Sequence, residues 1–441
     1  MKRIKISAMV ALLACLAALT ISSCKKADYP DRFELTSGTP TIKSIRYAEK
    51  DVYITSAYMG EIICLLGDNL TSIQRLFFND QEASLNTSYI TENTLIVAVP
   101  GNMPTVTTNK IYMYNEAGDV TEYDFQILPP NPVITAMSCE WAPAGSTVTI
   151  TGKYLFDDDN VPLTVSFPGA DATDVTVVSS TEIQVVVPEG AQEGAITLTT
   201  VSGSTVSTFY YKDTRNMLFD WDGVYGDAHA TGYGWRAGMI HSDGQDSWSA
   251  LDGNYLYFGG ATIGPGPRDA WAEDQYCVNY WPDVDNPGNG WNELNLNEEF
   301  VQMTADYGLN ELALKFECVI PSSTPWTASA LQVMLTRTSD VSCWGNCTNA
   351  FYYNDEMPRY VWEPWVDNGG SYTTEGEWVT VVCPLSEFNK TIANATCGVA
   401  FSADFLTGLT LFVYGGSTDG TECSPEFGID NIRIVPYGSS K

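Results

Sequence analysis

G-E-I-I-C-L-L-G-D-N-L at residues 60–70 and G-S-T-V-T-I-T-G-K-Y-L at residues 145–155 are two copies of one pattern. Gly60, Gly67 and Leu70 in the first align with Gly145, Gly152 and Leu155 in the second at identical spacing. The match continues outward on both sides. T-P-T-I (39–42) precedes the first copy and N-P-V-I (131–134) precedes the second. R-L-F-F-N (75–79) and L-T-V-S-F-P-G (163–169) follow. E-N-T-L-I-V-A-V-P (92–100) and S-T-E-I-Q-V-V-V-P (180–188) close the copies, so Pro100 answers Pro188. Self-similarity at a fixed period marks repeated structural units. Each unit consists of short alternating apolar runs separated by turn formers, which predicts a small β-sandwich.

These motifs resemble the IPT/TIG family of immunoglobulin-like domains. The resemblance implies two tandem spacers, over residues 41–129 and 130–212. Pro129, Pro130 and Pro132 fix backbone angles where the copies meet, which predicts a stiff connection. The glycines of the 145–155 run do not make a phosphate loop. Their spacing is wrong, and Tyr154 stands where a Ser or Thr is needed.

Residues 213–441 read as one larger β domain. Leu312, Leu314, Phe316, Cys318 and Ile320 alternate with Ala313, Lys315, Glu317 and Val319, the pattern of a half-buried strand. Leu331, Val333 and Leu335 repeat it, as do Leu409, Leu411 and Val413, and F-G-I-D-N-I-R-I-V-P (427–436) follows. No long amphipathic helix is evident. Strand runs without helical crossovers predict an antiparallel sandwich of jelly-roll type. The whole chain is therefore expected to be all-β: tandem immunoglobulin-like sandwiches followed by a β-sandwich/jelly-roll carbohydrate-binding domain.

The carbohydrate expectation comes from tryptophan. Of the 12 tryptophans only Trp141 precedes residue 213. A single core seldom needs so many, and a flat indole face stacks well on the apolar C–H face of a sugar ring. Tryptophans in turn-rich, polar surroundings are the better platform candidates. Trp235 lies in G-Y-G-W-R, Trp271 in R-D-A-W-A-E and Trp291 in G-N-G-W-N. Tyr280 and Trp281 lie in N-Y-W-P-D, and Trp362 and Trp365 in V-W-E-P-W. Trp378 heads a strand and reads as core. Arg236, Asn279 and Asn292 are polar neighbours able to bond sugar hydroxyls. A fragment of residues 213–441 is then expected to carry all of the binding.

The formal net charge is −32. Such a chain repels nucleic acid and anionic head groups, and it favours a neutral ligand over an acidic polysaccharide. Residues 1–23 read as an export signal, with Lys2, Arg3 and Lys5 ahead of an apolar run from Ala8 to Ile21. The run ends I-S-S-C, which resembles a bacterial lipobox and implies acylation of Cys24. Residues 24–40 then form a polar tether. Nine further cysteines follow Cys24, an odd number, so they cannot all pair with one another. Several lie in strand-like runs and are expected to act as small hydrophobes. Cys343 and Cys347 could close a loop.

The runs L-D-G-N-Y-L-Y-F-G-G (251–260), Y-W-P-D (280–283), L-A-L-K-F-E (312–317), A-L-Q-V-M-L (330–335), P-R-Y-V-W-E-P-W (358–365), the segment 370–388 and G-T-E-C-S-P-E-F-G-I-D-N-I-R (420–433) resemble the glycan-binding domain of surface glycan-binding proteins. These belong to Sus-type polysaccharide-utilisation systems, the xyloglucan-binding group among them. The resemblance implies a non-catalytic lipoprotein of the outer membrane, exposed at the cell surface. It would hold a β-glucan or xyloglucan-like hemicellulose beside a SusC/SusD-like importer and surface glycosidases. It also ranks Tyr280 with Trp281 first among the platform residues. No cofactor and no metal are expected. Asp430 on the last strand reads as a solvated carboxylate, with calcium as the competing reading.

Catalysis requires two carboxylates flanking the scissile bond. With 54 acidic residues, pairs arise by chance, so their presence decides nothing. Glu293, Glu363 and Asp367 are the suspects near candidate platform residues. His229 and His241 are the only histidines, and there is no zincin motif or nucleophile elbow. A glycoside hydrolase and a structural adhesin are the alternatives to a binding protein. The anchor is tested directly: Cys24→Ala is expected to leave an uncleaved precursor or release the protein from membranes. Unchanged detergent-phase partitioning would refute acylation at this residue.

Overall fold

The computed structural model describes residues 36–158, 161–223, 237–264, 273–280, 298–337, 354–406, 408–414 and 421–438. The chain divides into two compact units, Met1–Pro130 and Asn131–Lys441.

In the first unit, one sheet has the order Tyr53–Ile54, Thr41–Tyr47, Ile62–Asp68, Thr94–Ala98. The other has Gln81–Glu82, Arg75–Phe78, Lys110–Tyr114, Val120–Asp124. Neighbours in both sheets are antiparallel. Ser56–Tyr58 and Gln126–Leu128 add a short parallel pair. Ile63, Leu65, Leu76, Leu95 and Ile111 are buried.

The second unit begins with the same plan. Val133–Met137, Thr147–Lys153, Glu182–Val186 and Val175–Ser179 form one sheet, in that order. Ala170–Asp171, Thr164–Phe167, Gly194–Thr200 and Gly203–Tyr211 form the other. The matched glycines now have a cause. Gly60 and Gly145 both turn at positive φ, 83° and 85°. A Cβ on Gly67 would sit 1.8 Å from the Thr41 carbonyl oxygen, and one on Gly152 would sit 2.0 Å from that of Val133. The first strand of each sandwich is bulged at this point, between Ile42 and Ser44 and between Ile134 and Ala136. Only glycine lets the two backbones approach so closely. Leu70 and Leu155 are both fully buried.

The remainder of the second unit is a larger antiparallel sandwich. One sheet runs Ile240–Ser242, Asn254–Phe258, Phe427–Pro436, Leu312–Val319, Val379–Pro384, with Met217–Phe219 also paired to Phe427–Pro436. The other runs Cys277–Tyr280, Gly408–Tyr414, Ala330–Thr336, Tyr360–Trp362. Leu314, Phe316, Leu331, Val333, Leu411 and Ile429 fill the space between them. The longest described helix is Glu298–Asp306, nine residues. No helix among the described residues is long and apolar enough to cross a membrane.

One expectation needs correction. Leu312–Val319 is not half-solvated, because every residue in it is buried. Its outer face is covered as well as its inner one. Val319 packs with Trp248 and Tyr255. Lys315 and Glu317 enter a charge cluster shared with the immunoglobulin-like sandwich before it. Lys315 Nζ donates to Glu140 Oε1 at 2.6 Å, and Arg433 donates to Glu140 Oε2 at 2.8 Å. Arg433 also grips both oxygens of Glu317, at 2.7 and 3.0 Å. Thr380 donates its hydroxyl hydrogen to Glu317 at 2.9 Å and accepts the Glu140 N–H at 2.7 Å. Its own N–H reaches the Ser138 carbonyl at 2.8 Å. Exposure of Glu140, Lys315, Glu317 and Arg433 is 3 % or less. Burial pushes the Glu317 carboxyl up to about 7, against the pull of the Arg433 guanidinium. Apolar contacts extend the seam. Met217 and Leu251 belong to the core of the immunoglobulin-like sandwich, and Trp378 packs against it.

Residues 213–441 therefore lack a self-contained surface of their own. Cutting at 212 would expose Lys315, Glu317 and Arg433 without Glu140. A fragment of residues 131–441 is expected to melt in one transition, and one of residues 213–441 to melt lower or aggregate. Glu140→Ala in the full ectodomain is expected to cost about 3–5 kcal/mol in urea unfolding, since two buried cations then share one acid. An unchanged midpoint would show that the cluster contributes nothing to stability.

Candidate functional site

The second sheet of the larger sandwich carries two of the candidate residues, Tyr280 and Trp362, on its outer strands. Cys277–Tyr280 is one edge strand, paired with Gly408–Tyr414 from Cys277 opposite Phe412 to Tyr280 opposite Leu409. Tyr280 is its last residue, where the chain leaves the sheet. Trp281, Trp235, Trp271 and Trp291 lie outside the described residues, as do Arg236, Asn292, Glu293, His229, Cys343, Cys347 and Cys24. Asn279 and Tyr280 are described by their backbone alone.

Tyr360–Trp362 is the opposite edge strand, paired with Ala330–Thr336. Trp362 is half-buried and meets three rings edge to face: Trp326 at 5.5 Å, Phe316 at 6.0 Å and Tyr372 at 6.2 Å. Trp365 is half-buried too, and its Nε1 donates to the Ser329 carbonyl at 2.8 Å. Both pack against the main core. Much of each ring is thus committed to the fold, a placement that the turn-rich V-W-E-P-W sequence does not suggest. The signal that could have shown it is the strand partner: Leu331, opposite Trp362, faces the core.

The other described tryptophans are also spent on packing. Trp326 is buried and stacked on Phe427 at 4.7 Å. Trp221 is buried and stacked on Phe219 at 5.2 Å. Trp248 is buried beside Tyr255 and Tyr257. Trp378 donates to the Ser249 carbonyl at 2.8 Å and meets Tyr255 edge-on, as its strand position leads one to expect. Trp141 is buried in the immunoglobulin-like core.

The outer face of the first sheet holds a second polar–aromatic group. His241 lies flat on Tyr257, centroids 4.2 Å apart. Its Nδ1 is 2.7 Å from Asp246 Oδ2, which also accepts the Tyr255 hydroxyl at 2.6 Å. Tyr257 donates to Glu426 at 3.1 Å. Desolvation and these neighbouring acids raise both tyrosines, which keeps their hydroxyls protonated. Among the catalytic suspects, Glu363 accepts a hydrogen bond from Asn394 at 2.8 Å, and Asp367 is exposed. Cys64, Cys139, Cys318, Cys383 and Cys397 are buried and form no disulfide, as small hydrophobes would. Burial pushes the Cys318 and Cys383 thiols well up, away from the nucleophilic thiolate.

Comparison with known proteins places this architecture. Residues 211–436 match the family described as surface glycan-binding protein B xyloglucan binding domain, and residues 132–213 match the IPT/TIG domain. The fold is similar to the crystal structure of the surface glycan-binding protein PbSGBP-B of Prevotella bryantii. The TM-score is 0.76 and the identity 35%, over 91% of this chain and 100% of that one. The chain belongs to the surface glycan-binding protein B family. It is also similar to an SGBP-B from a complex xyloglucan utilization locus in Bacteroides uniformis, at 18% identity over 90% of this chain and 100% of that one, with a TM-score of 0.44. An IPT/TIG domain-containing protein of Bacteroides ovatus is 28% identical over 183 residues, 39% of this chain. That match spans 36% of the relative's length. The two solved structures are surface glycan-binding proteins by description, and the family assignment agrees with the resemblance read from the sequence.

The packing of Trp362 has a measurable consequence. Trp362→Ala is expected to destabilise the larger sandwich by roughly 3 kcal/mol. That would lower its Tm by roughly 6–12 °C in a thermal melt. A mutant that keeps its Tm but loses a ligand would make Trp362 a platform residue instead.

Proposed function

We propose that this protein holds a neutral plant-type polysaccharide, a β-glucan or a xyloglucan-like hemicellulose, at the outer-membrane surface without cleaving it. Binding is by an aromatic platform in the C-terminal domain. Cys24 supplies the lipid anchor, and the first immunoglobulin-like domain serves as a spacer. A SusC/SusD-like importer and surface glycosidases are the partners that would receive the held chain.

The observation that carries this reading is the match of residues 211–436 to the surface glycan-binding protein B xyloglucan binding domain. Trp141, Trp221, Trp248, Trp326, Trp362, Trp365 and Trp378 have packing partners that account for them. Trp235, Trp271, Trp281 and Trp291 lie outside the described residues, and their glycine- and asparagine-rich or acidic sequence keeps them as the platform candidates. Family membership supplies the ligand class. The net charge of −32 supports a neutral ligand, since an acidic glycan would be repelled.

Affinity gels with xyloglucan, mixed-linkage glucan, mannan and starch would test the ligand class. Retardation by a β-glucan, with no new reducing ends, is expected. New reducing ends would turn the reading to a hydrolase, and no retardation by any glycan would turn it to an adhesin. Each aromatic–sugar stack is worth about 1–3 kcal/mol, by analogy with bases stacked on aromatic side chains. Trp281→Ala is therefore expected to weaken binding roughly 5- to 150-fold in calorimetry. Trp235→Ala should give a smaller loss. Both proteins should keep the wild-type circular dichroism spectrum, and affinity should barely change with salt. A folded Trp281→Ala protein with wild-type affinity would move the platform elsewhere.

A further inference from the structure

V-D-N-G-G at residues 366–370 sets an asparagine, Asn368, directly before a glycine. The only other such pair, Asn289 with Gly290, lies outside the described residues. Asparagine is among the chemically labile side chains. Its side-chain carbonyl carbon is an electrophile, and the backbone nitrogen of the next residue can close a ring onto it. A Cβ on that next residue crowds the closure, and glycine has none.

The fold leaves this closure open. Residues 366–370 are all exposed, in the turn that follows Trp365. Where a Cβ on Gly369 would stand there is nothing within 4 Å. Gly369 and Gly370 both have positive φ, 72° and 90°. The flanking N–H groups are engaged, since those of Asn368 and Gly370 both reach the Trp365 carbonyl, at 3.3 and 2.9 Å. The Gly369 N–H between them meets no acceptor among the described residues. Solvent base can therefore take its proton, the step that makes the nitrogen a nucleophile. Other asparagines lack this opening. The residue after Asn394 is Ala395, which carries a Cβ and donates its N–H to Thr391 Oγ1 at 3.2 Å. The residue after Asn93 is Thr94, whose N–H is held by Thr91 Oγ1 at 3.0 Å.

We propose that Asn368 is a site of spontaneous covalent modification, converted through Gly369 into aspartyl and isoaspartyl forms. The Gly369 nitrogen loses its proton to base and bonds to Asn368 Cγ. The bond from Cγ to Nδ2 breaks, and Nδ2 leaves as ammonia after regaining a proton from solvent. Water then opens the cyclic imide. Opening at Cγ leaves an aspartate in an unchanged backbone. Opening at the backbone carbonyl leaves an isoaspartate, whose main chain is longer by one methylene. Either product alters the turn. Asn368 Nδ2 donates to the Pro364 carbonyl at 2.7 Å, which a carboxylate cannot do. The new charge stands next to Asp367 in the chain. In the isoaspartyl form the added methylene parts the two N–H groups that share the Trp365 carbonyl. The modification thus loosens the turn that seats Trp365, whose indole N–H holds the Ser329 carbonyl.

The test incubates the folded full ectodomain at neutral and at mildly alkaline pH and maps its peptides by mass spectrometry. The peptide containing residue 368 is expected to gain the mass difference between an amide and an acid. It should separate into two isomers, one of them a substrate for isoaspartyl methyltransferase. The rate should rise in proportion to hydroxide. Asn368→Gln, which would have to close a larger ring, is expected to lose the change, and so is Gly369→Ala. Alanine is strained at the φ of Gly369, so Asn368→Gln keeps the test decisive if the alanine variant fails to fold. A folded protein that keeps Asn368 intact while the same chain in urea converts it would overturn the proposal. A mass gain in that peptide that persists in Asn368→Gln would overturn it equally.

Discussion

A carboxylate from one sandwich, Glu140, is buried between two cations of the next, Lys315 and Arg433. Much else in residues 131–441 follows from this contact. Burying four charges is costly unless each is paired and hydrogen-bonded. Here two acids meet two bases, and Thr380 bonds to both halves. The pairs that Glu140 makes with Lys315 and Arg433 form only when the two sandwiches are joined in one relation. Buried charge is weak as a source of stability but strict about geometry. Met217, Leu251 and Trp378 add apolar burial around it. The second immunoglobulin-like domain is thus more than a spacer, because it completes the surface of the domain that follows.

The two small sandwiches were legible because their key positions are backbone constraints. Gly67 and Gly152 sit where a carbonyl oxygen occupies the space of a Cβ, and Gly60 and Gly145 sit where φ is positive. Such requirements admit almost no other residue, so they survive in the sequence as a spaced pattern. The charge cluster was illegible for the opposite reason. Lys315 and Glu317 alternate with Leu314, Phe316 and Cys318, and so they look like the solvated side of an ordinary strand. Their partner Glu140 is distant in sequence, and local alternation does not say whether water or another domain covers a face.

The candidate site divides in the same way. Trp378 was readable as core from its strand position. Trp362 and Trp365 sit among proline and glutamate, a context that suggests a surface turn. Yet Trp326, Phe316 and Tyr372 close around Trp362, because it pairs opposite Leu331, which faces the core. Asp430 was readable as an acid on a last strand but not as a buried one. Its burial comes from the place of its strand in the sheet, between Asn254–Phe258 and Leu312–Val319, and chain pattern alone does not bring those together.

The buried sulfurs have a consequence of another kind. Cys64, Cys139, Cys318, Cys383 and Cys397 are thiols inside three separate sandwiches, and none is joined to another. At these five positions cohesion comes from packing and owes nothing to oxidation. Each thiol is also sealed from reagents until its sandwich opens. Cys64 reports the first sandwich, Cys139 the second, and Cys318 with Cys383 the largest. The protein thus carries its own set of opening clocks, one in each layer of the architecture, readable by the rate at which a small alkylating agent finds each sulfur.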